Sequence, residues 1–144
     1  MCPSRAARPR LRTARMTIAA MDVTGIVLAG GMGRRMGGVD KGLVLLDGRP
    51  MVAHVLDRLR PQVGTVLVNA NQNPERYASF GHPVVPDDVG GFAGPLAGLH
   101  AGMTRAGTSY VVTCPCDSPF LPLDLVARLA DGLARDDARL PRLL

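Results

Sequence analysis

Between Leu28 and Lys41 the chain reads Leu-Ala-Gly-Gly-Met-Gly-Arg-Arg-Met-Gly-Gly-Val-Asp-Lys. Glycine at these positions lets backbone N–H groups turn toward an anion, and Arg34, Arg35 and Lys41 add permanent positive charge at the rim. A polyphosphate meets that description. The pattern is not the dinucleotide fingerprint, whose third glycine would fall on Met36, nor a P-loop, since Lys41 follows Asp40 and precedes Gly42. The competing reading is a glycine-rich turn with solvated cations. Three further polar points follow apolar runs: Asn69, the Asp87–Asp88 pair and Asp117. Neighbours on an extended chain point to opposite sides, so only one of Asp87 and Asp88 is expected in a shared site. For Asn69 the alternative is simple turn closure. For Asp117 it is capping of a helix near Leu123 or pairing with an arginine.

Cys114 and Cys116 flank Pro115 at the end of an apolar run, and the C-x-C spacing matches neither a zinc knuckle nor a redox pair. Small buried thiols are the expectation, without chemistry. His54, His82 and His100 have no companions at metal-ligand spacing.

The elements that must carry these residues alternate in type. Val23–Ala29 reads as a strand buried on both faces, and Thr65–Val68, Val84–Val85 and Tyr110–Cys114 read as further strands. Met51, Val52, Val55, Leu56 and Leu59 mark one face of a helix begun by Pro50 and stopped by Pro61. Further helices are predicted over Glu75–Phe80, Pro95–Met103 and Leu123–Leu133, with an Asp47-Gly48 turn before the first. Such alternation predicts an α/β fold with a mainly parallel sheet, which binds ligands at the carboxyl ends of its strands. The loop from Gly30 to Lys41, together with Asn69, the Asp87–Asp88 pair and Asp117, should therefore converge on one edge. Glycine density agrees: residues 25–48 hold eight of the seventeen and residues 90–107 hold six.

With 144 residues, 47% of them apolar and 20% charged, the chain is one packed domain. Its net charge of +5 is concentrated at the N-terminus, where Arg5, Arg8, Arg10, Arg12 and Arg15 stand without an acid. The remainder balances at 12 basic and 12 acidic residues, and with five aromatics and no Trp it lacks the groove and stacking platforms of nucleic-acid binders. Residues 1–20 are expected to be a disordered or non-native basic arm, and residues 21–144 the domain proper. No apolar run approaches the about 20 residues of a membrane span. Three cysteines make no disulfide framework, so a cytoplasmic setting is expected.

Leu28-Ala-Gly-Gly-x-x-x-Arg-Met-Gly-Gly-x-Asp-Lys41-Gly resembles the signature loop of nucleotidyltransferases that join a nucleoside monophosphate to a phosphorylated acceptor. The form Gly37-Gly38-Val39-Asp40-Lys41-Gly42 is similar to one branch, the molybdenum cofactor guanylyltransferases. Val68-Asn69-Ala70-Asn71, Pro86-Asp87, Gly94-Pro95-Leu96-Ala97-Gly98 and Cys114-Pro115-Cys116-Asp117-x-Pro119-Phe120 agree with that branch in order and spacing.

The resemblance implies a three-layer Rossmann-like nucleotidyltransferase fold that transfers GMP from GTP to molybdopterin, with Mg²⁺. It implies that Leu28, Ala29, Gly30 and Gly31 line the nucleotide, that Asn69 and Asp87 contact the nucleoside, and that Lys41 and Arg35 meet the phosphates. Asp117 is the implied metal ligand, and Arg35, Lys41 and Asp117 are the implied catalytic residues. The implied partners are GTP, molybdopterin or molybdenum cofactor, and molybdenum cofactor insertion proteins, with neither nucleic acid nor membrane. The segment after Leu133 departs from the pattern, having no strand signature where the family continues, so a fold shortened at its C-terminus is expected. Cytidylyl transfer, a sugar-phosphate acceptor and an inactive GTP-binding fragment are the competing readings.

Overall fold

The computed structural model describes residues 17–30, 38–88 and 94–137. Its frame is a four-stranded, wholly parallel sheet in the order β5-β4-β1-β6. Here β1 is Val23–Leu28, β4 Thr65–Asn69, β5 Val84–Val85 and β6 Tyr110–Pro115. β1 occupies the interior, with Leu28 in register with both Asn69 and Pro115. That position explains its mostly apolar character, because both faces are covered and alternation would bury charge; its polar side chain, Thr24, is buried and hydrogen-bonded to Thr108.

Side-chain alternation along β1 separates the layers. A Cβ on Gly25 would stand 2.8 Å from Leu59 Cδ2, while the side chain of Ile26 meets Gly102, where a Cβ would be 2.5 Å from Ile26 Cδ1. Adjacent strand residues face opposite ways, so helix α1 (Met51–Leu59) covers one side of the sheet and α3 (Pro95–Arg105) the other. Helix α4 (Leu125–Asp137) joins the α1 side through Val126 in the main core cluster, and Tyr77 of α2 (Pro74–Ala78) belongs to the same cluster. The second, smaller cluster of Leu67, Val85 and Ala101 lies under α3. The result is a three-layer α/β arrangement, built on the parallel sheet that the alternating pattern predicted.

Sequence expectations and structure differ at several element ends. Pro50 precedes α1 rather than opening it, because it pairs with Leu45 in the hairpin of β2 (Leu45–Leu46) and β3 (Arg49–Pro50). Asp47 and Gly48 turn that hairpin with φ of 50° and 75°, the left-handed pair a two-residue loop requires. α4 begins at Leu125 instead of Leu123 and runs four residues past Leu133. Gln62 fixes that start: its Oε1 accepts from the Val126 amide at 3.0 Å and its Nε2 donates to the Pro122 carbonyl at 2.8 Å. Of the basic arm, residues 1–16 lie outside the described residues. Thr17–Ala20 are described, and Ile18 packs against the main core.

Candidate active site

The chain builds the sheet outward from β1 through β4 to β5, then returns to place β6 on the other flank of β1. The strand order reverses between β1 and β6, and a parallel sheet opens its ligand crevice at such a reversal, beyond the carboxyl ends. Leu28–Gly30 emerge there under restraint from both neighbours. The Ala29 amide donates to the Asn69 carbonyl at 2.7 Å, and the Leu28 carbonyl accepts from the Cys116 amide at 3.1 Å. Gly30 has no room for a side chain, since a Cβ would stand 2.7 Å from Asn69 Oδ1. Gly31, Arg34 and Arg35 lie outside the described residues, as do residues 90–93 of the second glycine-rich segment.

On the β4–β5 flank, three residues form a closed polar cluster. Asn69, 2% exposed, donates from Nδ2 to the Val85 carbonyl at 3.1 Å and to Asp87 Oδ1 at 2.8 Å. Asn71 donates from Nδ2 to Asp87 Oδ2 at 2.7 Å and to the Gly30 carbonyl at 3.2 Å, while its Oδ1 accepts from the Asp87 amide at 2.8 Å. Both carboxylate oxygens of Asp87 are thereby held by neutral amides. Asp88 is exposed, as expected of a neighbour on an extended segment. Asn69 serves more than turn closure, because its buried amide ties β4 to Val85 of β5 and to Asp87 beyond it. Gly98 of α3 makes room for it: any Cβ there would collide with Asn69 Oδ1.

On the β1–β6 flank, Lys41 Nζ stands 3.7 Å from Asp117 Oδ2, with side-chain exposures of 49% and 35%. Asp117 thus pairs with a lysine and not with an arginine. Lys41 opens a single 3₁₀ turn over Lys41–Leu43, and the preceding Asp40 is anchored away from the crevice. Asp40 Oδ1 accepts from the Tyr77 hydroxyl and Oδ2 from Asn73 Nδ2 at 3.0 Å. Cys114 and Cys116 are buried free thiols, pushed up to about 12 chiefly by burial, which fits packing and not nucleophilic chemistry.

The histidines stay out of this crevice chemistry. His54 Nε2 meets the Leu46 carbonyl at 3.0 Å. His82 is shifted down by burial and then by Arg60. His100 is exposed on α3. Among the described residues there is no group of three or more His, Cys, Asp or Glu side chains able to hold a metal alone. Magnesium does not need one, since it binds through one or two carboxylates plus substrate phosphate oxygens and water. Asp117, a part-exposed carboxylate whose ion-pair contact among the described residues is Lys41, fits that mode of binding.

Sequence reasoning brings Lys41, Asn69, Asp87 and Asp117 to the same sheet edge, and the structure places all four there. It passed over Asn73 and Tyr77, and it treated Asp40 and Asn71 only as parts of motifs. Asn73 left one readable trace, an asparagine before Pro74 where a left-handed residue (φ 48°) precedes the helix.

The family model described as the MobA-like NTP transferase domain matches residues 25–142. The chain belongs to this family. A molybdenum cofactor guanylyltransferase of Ralstonia nicotianae is 58% identical over 123 residues, covering 85% of this chain and 60% of the relative. One from Cupriavidus taiwanensis is also 58% identical over 123 residues, covering 85% of this chain and 62% of the relative. Among solved structures, the molybdopterin-guanine dinucleotide biosynthesis protein A of Archaeoglobus fulgidus superposes with a TM-score of 0.61 at 26% identity, covering 78% of this chain and 56% of that one. The chain spans about 60% of the length of the curated MobA-like relatives it matches. Among the described residues, no helix is long and apolar enough to cross a membrane.

Proposed function

We propose that this chain carries the nucleotide half of a guanylyltransferase reaction: transfer of GMP from GTP to molybdopterin, with release of pyrophosphate. The observation that carries the proposal is the convergence of Lys41 and Asp117, 3.7 Å apart, beyond the strand reversal where the Leu28–Gly30 backbone emerges. The names borne by relatives 58% identical to this chain supply the acceptor and the base.

In this reading a terminal phosphate oxygen of molybdopterin attacks the α-phosphorus of GTP. The bond from that phosphorus to the bridging oxygen of the β-phosphate breaks, and pyrophosphate leaves with the electron pair. A phosphate monoester has its second pKa at about 6, so the nucleophile is already ionised at neutral pH and no general base is needed. Catalysis then rests on alignment and charge neutralisation. The Lys41 ammonium, with Arg35 and the amides of the glycine loop from Gly30 and Gly31, faces the phosphates. Asn69 and Asp87 meet the nucleoside, and Leu28 and Ala29 border it. Asp117 is the residue suited to hold Mg²⁺, which when bound to the triphosphate neutralises charge on the leaving group. A cytoplasmic setting and delivery to molybdenum cofactor insertion proteins belong to the same reading.

The test is calorimetry paired with pyrophosphate release, using GTP, Mg²⁺ and molybdopterin against a panel of the other three nucleoside triphosphates. Selective GTP affinity with release supports the proposal. GTP affinity without release assigns the chain the binding half alone, and preference for CTP overturns the choice of base.

A further inference from the structure

Helix α2 has five residues, and four of them, Pro74, Glu75, Arg76 and Ala78, are exposed; the fifth, Tyr77, is fully buried. A phenylalanine would cover the same apolar surface, so the hydroxyl needs its own account, and a buried hydroxyl must find a partner. It donates to Asp40 Oδ1. Asn73, left-handed at φ 48°, aims its side-chain amide at the other carboxylate oxygen, 3.0 Å away. Asp40 is therefore gripped on both oxygens by neutral donors from one short segment. Its own carbonyl accepts from the Leu43 amide at 3.1 Å, and the Lys41 carbonyl accepts from the Val44 amide at 3.2 Å, so the anchored residue opens the turn that carries Lys41.

Tyr77 also reaches the far side of that turn. A Cβ on Gly42 would stand 2.5 Å from the Tyr77 hydroxyl oxygen and 3.0 Å from Cys116 Cβ, so Gly42 is wedged between them. Tyr77 thus touches the residues before and after Lys41, and Cys116, the residue before Asp117, closes on the same glycine.

We propose that Tyr77 is a positioning residue: its hydroxyl, with the Asn73 amide, clamps Asp40 and so presents the Lys41 ammonium to Asp117 and to a nucleotide phosphate. The phosphate part rests on the function proposed above. Burial, followed by the bond to Asp40, raises the Tyr77 pKa, so the hydroxyl keeps its proton and stays a donor.

The experiment is a double-mutant cycle of Tyr77→Phe and Lys41→Ala, read by GTP affinity in the presence of Mg²⁺ and by amide hydrogen exchange of the nucleotide-free chain. Loss of a part-buried bond to a charged group should weaken GTP binding by about tenfold or more. The double variant should bind no more weakly than Lys41→Ala alone, because Tyr77 acts through Lys41. Exchange at the Leu43 and Val44 amides should quicken by about tenfold while that of Ile26 and Val27 in β1 stays unchanged. Additive losses of affinity, or faster exchange at all four amides together, overturn the proposal. Should Tyr77→Phe fail to fold, Asn73→Ala at an exposed position removes the other jaw and must reproduce the same local exchange and non-additivity. A wild-type chain that binds no GTP, yet whose variants show the local exchange change, removes the proposed function and leaves the clamp standing.

Discussion

The two flanks of the crevice are built on opposite plans. On the β4–β5 flank, Asn69, Asn71 and Asp87 exhaust much of their hydrogen-bonding capacity on one another and on the strand-end backbone. On the β1–β6 flank, Lys41 and Asp117 meet across 3.7 Å with much of each side chain open to solvent. A finished network fixes shape before any ligand arrives, which suits the uncharged, directional edges of a nucleoside. An open ion pair keeps unspent charge, which suits a phosphate chain and its metal. In the proposed function, one flank serves stability and nucleoside recognition together, and the other serves phosphate recognition and chemistry with little bearing on stability.

The largest expected effect tests the open flank. Lys41→Ala and Asp117→Ala should each lower turnover in pyrophosphate release by about 10²- to 10³-fold, the loss typical of one preorganised electrostatic contact. Unchanged turnover in either variant breaks the contrast at its functional end. Next comes the closed flank: Asn69→Ala strips a buried donor from Asp87 and from the Val85 carbonyl, and should cost about 1–3 kcal/mol in denaturant unfolding. Gly98→Ala should destabilise through the same group, because its new methyl must displace the Asn69 side chain.

A pH effect comes from beneath the open flank. The folded chain pushes the Cys114 and Cys116 thiols from 9.0 up to about 12. Above pH 9 the unfolded chain gives up these protons while the folded chain keeps them, so stability is full below that point and declines as pH rises toward 12. Denaturation midpoints at several alkaline pH values check this, and a flat profile would show that burial does not hold the thiols protonated. The smallest effect is the sharpest for the comparison. Removing the exposed Lys41–Asp117 pair should alter unfolding free energy by no more than about 1 kcal/mol, although activity collapses.

Much of this was legible without coordinates. Runs such as Val23–Leu28 and Thr65–Asn69 carry the β-branched, mostly apolar character of covered strands, and the polar residues that close them fall at the carboxyl end of a parallel sheet by construction. That is why Lys41, Asn69, Asp87 and Asp117 could be assigned to one edge from their positions alone. The clamp on Asp40 was not legible. Its partners lie 33 and 37 residues downstream, and a side-chain hydrogen bond at such separation leaves no period or spacing to read. Element ends slipped for a related reason: Gln62, 64 residues before Val126, takes part in setting the start of α4.

By itself, then, the order of residues determined the element types, the side of the sheet on which chemistry gathers, and the charges available there, since these follow from local pattern and from the handedness of parallel strands. Only the tertiary structure decided which polar groups spend themselves on one another and which stay open to a ligand. Satisfying a buried donor or carboxylate depends on where distant segments meet, and that meeting is settled by packing.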